Sequence, residues 1–303
     1  MKAPIVLFVY ARTEHTRRTV ESLLRNTGAA DSELIIYADG ARSSKDEAAV
    51  EEVWRYVNSV AGFKSVLLRR REKNLGLAES IISGVTEVLS EFERIIVLED
   101  DMEVSKHFLN YMNEGLDRFS NDERVASIHA YCFPVTMPLP ELYFLRGADC
   151  WGWATWRRGW QLFNGDGAYL LSELQRRNLL SDFDYGGTFP YSQILRDQIA
   201  GENDSWAIRW YASIFLENKL SLNPGSSLLR NIGTDASGTH CDVTALYDVR
   251  VSERAVVFDD IEVQDSAPAR LAIERFFRAS TPGIGGKVKR WVKTSVQKIA
   301  DAK

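Results

Sequence analysis

Short apolar runs alternate with longer amphipathic segments through the first hundred residues of the chain. The runs at residues 5–10, 34–38, 65–69 and 95–98 predict four β-strands. The segments between them have the length and periodicity of helices, and acidic residues crowd the first turns of the second one, which favours the helix dipole. This alternation predicts an α/β fold, with a Rossmann-like, mostly parallel sheet flanked by helices. Functional loops are then expected at the carboxyl ends of the strands.

The pattern becomes less regular after about residue 130. A tryptophan-rich segment covers residues 151–160, and short strand-like pieces with a glycine-rich loop cover residues 220–262. Between these two regions, periodicity predicts helices at 168–180, 190–200 and 205–218. The second half of the chain therefore resembles an elaboration on the sheet more than a continuation of it.

The last part of the chain differs from the rest in charge. Residues 270–303 contain nine Lys or Arg and two Asp or Glu, which is a net charge of +7. Since the net charge of the whole chain is −5, the residues before 270 carry a net charge of −12. Apolar residues within 286–300 recur at helical spacing with lysines between them, which predicts a basic amphipathic helix that contacts an anionic membrane surface. Docking of this helix on the domain is the alternative. The acidic remainder argues against binding to nucleic acid.

The composition narrows the class of protein further. The chain has 303 residues, of which 45% are hydrophobic and 26% charged, as in ordinary globular proteins. Its three cysteines lack C-x-x-C spacing, so we expect neither a disulfide framework nor a zinc site. The first apolar run ends at Arg12, too early for a signal peptide, and no apolar stretch approaches the ~18 residues of a membrane span. We predict a cytoplasmic protein, peripheral on the cytoplasmic face of the membrane if its basic helix binds there.

Three consecutive carboxylates follow the fourth predicted strand. Glu99, Asp100 and Asp101 come directly after a continuous apolar run. Adjacent acids at a strand end repel one another unless a cation lies among them, and Mg²⁺ or Mn²⁺ prefers oxygen ligands. The cluster therefore indicates a divalent metal that can bind a diphosphate. A solvated acidic turn is the alternative interpretation.

The three earlier strands also end in polar residues. Arg12 follows the first strand, Asp39 the second, and Asn74 opens a helix after the third. Each has an ordinary explanation, as a surface cation, a turn residue and an N-cap respectively. Together, at the carboxyl ends of parallel strands, they favour a nucleotide pocket.

The order of these motifs resembles that of GT-A glycosyltransferases, in the manner of the inverting family 2 and of the N-acetylglucosaminyltransferase I family. The resemblance covers about the first 110 residues. It implies that Asp39 contacts the uridine base, that Arg12 lines the nucleotide pocket, and that Asn74 and the residues after it lie beneath the donor. Transfer from a UDP-linked sugar with inversion is the implied activity.

The acidic motif matches the DxD-type signature of those families in its E-D-D form. By that resemblance Asp101 ligates the metal, Asp100 lies near the ribose or the metal, and Glu99 lies near the donor sugar. His240, in a glycine-rich loop, matches a late histidine of several GT-A enzymes and is expected to ligate the metal or to contact the diphosphate, with an ordinary surface loop residue as the alternative.

The catalytic base is expected near residue 204. The segment 201–210 resembles the region where these enzymes carry a carboxylate followed by Trp and Arg, which makes Asp204 the predicted base and Glu202 the second choice. An inverting transfer needs such a group to remove the proton of the acceptor hydroxyl. Alternatively, Asn203, Asp204 and Ser205 only cap the following helix.

The tryptophan-rich segment offers flat apolar faces for sugar rings. Trp153, Trp156 and Trp160 fall on one face if the segment is helical, so we expect them to pack in the core. Trp151 precedes that helix and is the better candidate for contact with the donor sugar, with Asp149 as a possible partner of a sugar hydroxyl.

We therefore predict a metal-dependent inverting glycosyltransferase. Its donor is a nucleotide-diphosphate sugar such as UDP-GlcNAc or a related hexose, and its acceptor a hydroxyl of a glycan or lipid-linked glycan. The expected domain covers 1–265, with a nucleotide-binding half at 1–110, an acceptor half at 111–265, and a basic extension at 266–303. A non-catalytic carbohydrate-binding or scaffolding protein is one alternative. A nucleotide-sugar pyrophosphorylase is another, but the connection after the first strand lacks the glycine-rich phosphate loop it needs.

Overall fold

A computed structural model describes residues 2–233 and 245–280 of the 303-residue chain. His240, Cys241 and the basic segment 286–300 lie outside the described residues. Within them, no helix combines the length and the apolar character needed to cross a bilayer.

The strands of the described residues fall into a large sheet and a small one. The large sheet contains β1 (Ile5–Val9), β2 (Glu33–Ala38), β3 (Ser65–Arg70), β4 (Arg94–Glu99), β6 (Val125–His129), β7 (Leu142–Arg146), β8 (Trp153–Trp156) and β9 (Leu220–Pro224); the small one pairs β5 (Met102–Val104) with β10 (Leu229–Asn231). The four strands predicted from the first hundred residues are confirmed to within one residue at each end.

Helices cover the sheet and connect its strands. They are α1 (Thr13–Leu24), α2 (Glu47–Val57), α3 (Leu77–Glu91), α4 (Phe108–Arg118), α5 (Arg157–Trp160), α6 (Gly167–Arg176), α7 (Leu180–Phe183), α8 (Tyr191–Ile199), α9 (Trp206–Leu216) and α10 (Ala267–Ser280), with a 3₁₀ turn at Ala29–Asp31. The helices predicted at 190–200 and 205–218 are confirmed as α8 and α9. The helix predicted at 168–180 ends earlier, as α6.

The large sheet has two parts with different strand directions. Its order is β3-β2-β1-β4-β8-β6-β9-β7. The first four strands are parallel, as predicted. Beyond them β8 is antiparallel to both neighbours, β9 is parallel to β6, and β7 is antiparallel to β9. The mixed sheet flanked by helices confirms the predicted α/β class, and the irregular pattern after residue 130 corresponds to its antiparallel part.

Both faces of the central strands are buried, which explains their continuous apolar sequence. All five residues of β1 are buried, and alternate residues contact two different clusters. One cluster includes α1 and α4, and the other includes α3 and four tryptophans, Trp153, Trp160, Trp206 and Trp210.

The helix expected from the spacing of the tryptophans is wrong for its first half. Trp153 and Trp156 lie in β8, and only the second half forms the short helix α5. Side chains alternate along a strand, so Trp153 packs in one cluster and Trp156 in the other. Pairing with β4 and β6 determines this conformation, since the local spacing fits a helix equally well. The predicted role of these tryptophans in core packing is confirmed.

The first part of the predicted C-terminal extension packs on the domain. Helix α10 buries Ala269, Ala272, Ile273 and Phe277 in a third cluster that also contains residues of α6, α8 and α9. The strand β7 and the segment just before α10 also meet, through a bridge between Phe144 and Asp265.

Candidate functional site

The parallel strands bring the predicted polar residues to one edge of the sheet. β1, β2 and β4 are aligned in register, so their carboxyl ends lie side by side. Arg12, Asp39 and Glu99 are found at or just beyond these ends. Residues that are far apart in the sequence thus lie at the ends of neighbouring strands.

The acidic cluster is buried and paired with an arginine. Asp100 and Asp101 are 4% and 7% exposed. The Nη2 atom of Arg12 donates to Asp101 Oδ2 at 2.9 Å and also contacts Asp100 Oδ1. Arg12 is thus not a separate surface cation, which corrects the ordinary interpretation of that residue. Its guanidinium lies between the carboxylates that sequence analysis assigned to the metal.

One arginine does not neutralise three carboxylates. Burial, followed by the charges of Asp101 and Asp100, raises the pKa of Glu99 to about 8. Burial also raises the pKa of Asp100, although Arg12 opposes the shift. For Arg12, burial lowers the pKa, but the two aspartates together raise it more. Burial and the repulsion between these carboxylates therefore favour either protonation within the cluster or binding of a cation.

The backbone of the acidic turn is held by a helix and by the small sheet. Thr19 of α1 donates its hydroxyl to the carbonyl of Asp100 at 2.9 Å and accepts from the N–H of Met102 at 3.0 Å. Ile232, just after β10, donates its N–H to the carbonyl of Asp101 at 2.8 Å. The turn is therefore fixed without help from the acidic side chains.

Gly233 covers the ion pair. A Cβ at this position would collide with Asp101 Oδ2 and come within 3.0 Å of Arg12 Nη1. The sequence analysis did not identify Thr19 or Gly233. They lie 80 residues or more from the acidic motif, so no local spacing could indicate them.

Asp39 holds a loop together. Its carboxylate accepts hydrogen bonds from the N–H groups of Gly40, Leu75 and Gly76 and from the side-chain amide of Asn74, at 3.0 to 3.1 Å. These bonds use the acceptor capacity of both oxygens. For Asp39 to accept a hydrogen bond from a nucleobase, one of these bonds would have to break.

Asn74 connects the same two loops. Its amide donates to Asp39 Oδ2 at 3.0 Å and to the carbonyl of Gly40 at 2.9 Å. The alternative interpretation of Asn74 as an N-cap is wrong, because α3 begins at Leu77 with Gly76 as its N-cap. Gly76 has a φ of +76°, a left-handed conformation that favours glycine.

We expect Asp39→Asn to destabilise the fold. The substitution replaces one accepting oxygen with an NH₂ group that faces N–H donors, so buried donors lose their partner. Unfolding in urea should show a loss of about 1–3 kcal/mol with an unchanged m-value. Asp31→Asn is the control, because Asp31 is exposed. An unchanged midpoint for Asp39→Asn would contradict the structural role of this carboxylate.

Asp204 lies beside the loop that Asp39 holds. Its carboxylate is exposed, and Oδ2 is 3.9 Å from the position of a Cβ built on Gly76. The N-cap of α9 is Ser205, whose Oγ accepts from the N–H of Ile208 at 3.3 Å. The capping hydrogen bond thus comes from Ser205 and not from Asp204. Glu202 is also exposed, and its N–H donates to the carbonyl of Asp197 at 2.8 Å.

Trp151 packs edge-to-face on two tyrosines. Its ring centroid is 4.8 Å from that of Tyr131 and 6.0 Å from that of Tyr247. The following residue, Gly152, has a φ of +61°, and a Cβ there would collide with Leu229. Trp151 is half-buried, so part of its surface is accessible.

Asp149 lies close to a buried histidine. Its Oδ1 accepts from the N–H of Cys150 at 2.6 Å and is 3.7 Å from His129 Nε2. Burial, followed by the charges of Asp149 and Glu99, raises the pKa of the Cys150 thiol well above its usual range. The charges of Asp149 and of Glu99 in the acidic cluster thus both raise the pKa of the Cys150 thiol.

The divalent metal expected from the acidic motif needs oxygen ligands from the protein. Among residues 2–233 and 245–280, no group of three or more His, Cys, Asp or Glu side chains could hold a metal ion. Asp101 Oδ1, however, is buried without a hydrogen-bond partner in that part of the chain. A buried, unpartnered carboxylate oxygen is a hard ligand that suits Mg²⁺ or Mn²⁺. The residues fit a metal that also takes ligands from a bound substrate.

Comparison with known proteins gave one family match. Residues 5–134 match the family model described as glycosyl transferase family 2. No curated protein is significantly similar to the chain in sequence. The family match includes the four parallel strands and the acidic cluster.

Three solved structures resemble parts of the chain. TarS of S. aureus is 13% identical, with a TM-score of 0.34 over 49% of this chain and 25% of TarS. The mannosyltransferase PcManGT from Pyrobaculum calidifontis, in complex with GDP-Man and Mn²⁺, is 13% identical, with a TM-score of 0.31 over 46% of this chain and 37% of that one. Mouse xyloside xylosyltransferase 1, in its apo form, is 14% identical, with a TM-score of 0.37 over 60% of this chain and 76% of that one. The matched region thus spans a quarter of the first protein and little more than a third of the second.

Proposed function

We propose that this chain, whose residues 5–134 match the model of glycosyl transferase family 2, is a GT-A glycosyltransferase. It would move a sugar from a nucleotide-diphosphate donor to a hydroxyl of a glycan or lipid-linked glycan. The observation that carries the proposal is the buried acidic cluster at the end of β4. Its carboxylates lie at the edge of a parallel sheet, where ligands of open α/β folds bind. The donor we propose is UDP-linked, such as UDP-GlcNAc or a related hexose.

Asp101 is the residue proposed to ligate Mn²⁺ or Mg²⁺, because its Oδ1 is buried without a partner among the described residues. His240 is proposed as a second ligand from the sequence alone. A metal bound there would offset the negative charge that develops on the departing diphosphate. Glu99 and Asp100 are proposed to contact the donor, with a protonated Glu99 able to donate a hydrogen bond near neutral pH.

Arg12, Asp39 and Asn74 complete the proposed donor site. Arg12 supplies positive charge for the diphosphate. Asp39 and Asn74 hold the loop that ends at Gly76, and we propose that this loop lies beneath the donor. Trp151 offers a half-buried apolar surface for a sugar ring.

The proposed base is Asp204. Its exposed carboxylate lies beside Gly76, and Ser205 provides the helix cap in its place. It can therefore accept the proton of an acceptor hydroxyl while the acceptor oxygen attacks the anomeric carbon from the face opposite the diphosphate. Inversion of configuration is proposed from the resemblance to the inverting family 2. Glu202 remains the second choice.

The acceptor and the location of the protein are proposed from the sequence. A basic amphipathic helix at 286–300 would bring the domain to an anionic membrane surface, where a lipid-linked glycan is found. The protein would then be cytoplasmic and peripheral on the cytoplasmic face of the membrane. Liposome binding that is unchanged after deletion of residues 281–303 would contradict this part of the proposal.

The donor class is tested by thermal stabilisation. UDP, GDP, CMP and ADP are each added with and without Mn²⁺, because a ligand that binds the native state raises its apparent stability. We expect UDP with Mn²⁺ to shift the melting temperature and either component alone to shift it less. At a concentration 100 times the Kd, the stabilisation is about 2.7 kcal/mol. A shift with a different nucleotide of the panel would replace uridine diphosphate as the nucleotide part of the donor. No shift with any of the four would contradict the proposed donor site.

A further inference from the structure

The contact between Arg12 and the aspartates leaves two polar groups unmatched. Arg12 Nη2 serves both Asp100 and Asp101, while Arg12 Nη1 and Asp101 Oδ1 are buried without a hydrogen-bond partner among the described residues. Buried polar groups in proteins are normally paired, and leaving them unpaired is unfavourable. A ligand that supplies partners for these two atoms can therefore displace the ion pair.

We infer that Arg12 is an internal counter-ion, which holds the two aspartates in the place of the divalent metal and leaves them when metal and donor bind. The inference rests on the proposed function, from which it takes the metal at Asp101. The guanidinium already occupies Asp101 Oδ2 and Asp100 Oδ1. A divalent cation on the same carboxylates would lie within a few ångströms of a positive charge, and the repulsion between them opposes simultaneous binding.

The second position that we infer for the Arg12 side chain is a neighbouring cleft. A cleft of about 450 Å³ borders Arg12, and its lining includes His15 and Arg17. Two carboxylates, Glu14 and Glu52, also line it, and Glu14 is already paired with Arg17. A guanidinium that turns from the aspartates toward this cleft can pair with phosphate oxygens, for which its planar donors are suited. The Arg12 guanidinium thus pairs with the aspartates when no ligand is bound, and with the diphosphate when the donor is bound.

The exchange requires movement of side chains only. The backbone of the acidic turn is fixed by Thr19 and by the N–H of Ile232, and neither contact involves Arg12. Gly233 lies directly over the pair, where a Cβ would collide with Asp101 Oδ2. Replacing Arg12 should therefore alter the charge at the cluster and leave its backbone in place.

The test measures binding of Mn²⁺ alone to the nucleotide-free, full-length protein, by the electron paramagnetic resonance signal of unbound Mn²⁺. The variants are Arg12→Gln, which removes the charge, and Arg12→Lys, which retains it. Asp101→Asn in the wild-type and Arg12→Gln backgrounds identifies binding at the cluster. We expect Arg12→Gln to bind Mn²⁺ at least about tenfold more tightly than the wild type, Arg12→Lys to remain within about threefold of it, and Asp101→Asn to remove the gain.

Stability gives a second readout. Without a counter-ion the carboxylates repel one another, so Arg12→Gln should melt at a lower temperature than the wild type and regain more of the difference when Mn²⁺ is added. A variant that folds only with Mn²⁺ would also support the inference. Mn²⁺ affinity equal to or weaker than that of the wild type, or a gain that survives Asp101→Asn, would overturn it.

Failure of the inference can be distinguished from failure of the proposed function. If UDP with Mn²⁺ stabilises the wild type but Arg12→Gln gains no affinity for Mn²⁺, only the competition between arginine and metal is wrong. If no nucleotide with Mn²⁺ stabilises the protein, the proposed donor site itself is wrong.

Discussion

Asp101→Asn is expected to lower kcat/KM for sugar transfer by roughly 10²–10³-fold, equivalent to about 3–4 kcal/mol of transition-state stabilisation. The amide removes the negative charge from the carboxylate proposed to ligate the metal, whose Oδ1 is buried without a partner among the described residues. The variant should also lose the stabilisation by UDP that depends on Mn²⁺. Turnover assays and thermal melts with and without Mn²⁺ measure both effects.

The matched control for Asp101→Asn is Asp31→Asn. Asp31 is an exposed aspartate in the 3₁₀ turn before β2, so the same chemical change should leave transfer unaffected. Urea unfolding of both variants separates a loss of activity from a loss of fold. Near-normal transfer by a folded Asp101→Asn protein would exclude Asp101 as the metal ligand.

The second large effect is expected at the proposed base. Asp204→Asn should lower kcat by about 10²–10⁴-fold, the range typical of general base catalysis. Donor binding should be retained, because the substitution conserves size and the side chain is exposed beside Gly76. Single-turnover rates report the chemical step, and the thermal shift with UDP and Mn²⁺ reports donor binding.

Two variants serve as controls for Asp204→Asn. Glu202→Gln tests the second choice of base and should transfer sugar at nearly the normal rate. Ser205→Ala removes the cap of α9 at an expected loss of about 1 kcal/mol in stability, with turnover largely retained. The opposite result, normal turnover with Asp204→Asn and loss with Glu202→Gln, would transfer the role of base to Glu202.

The structure differs from the sequence prediction where strands pair over long separations. The spacing of Trp153, Trp156 and Trp160 fits one helix face. The first two nevertheless lie in β8, because this segment pairs with β4 and β6. Asn74 has the residue type of an N-cap, but its amide instead contacts Asp39, 35 residues earlier in the chain. Local propensity is a weak preference, and tertiary hydrogen bonds override it in both cases.

The parallel half of the sheet and the residues that end its strands are predictable from the sequence. Continuous apolar runs identify strands buried on both faces, and Glu99, Asp100 and Asp101 follow one of them directly, so both signals are local. Which side chains of the candidate site contact one another depends on the tertiary structure. It paired Arg12 with the aspartates, placed Gly233 over them and brought Asp204 beside Gly76. These contacts join positions far apart in the chain, and their geometry depends on strand register and side-chain packing, which no local spacing contains.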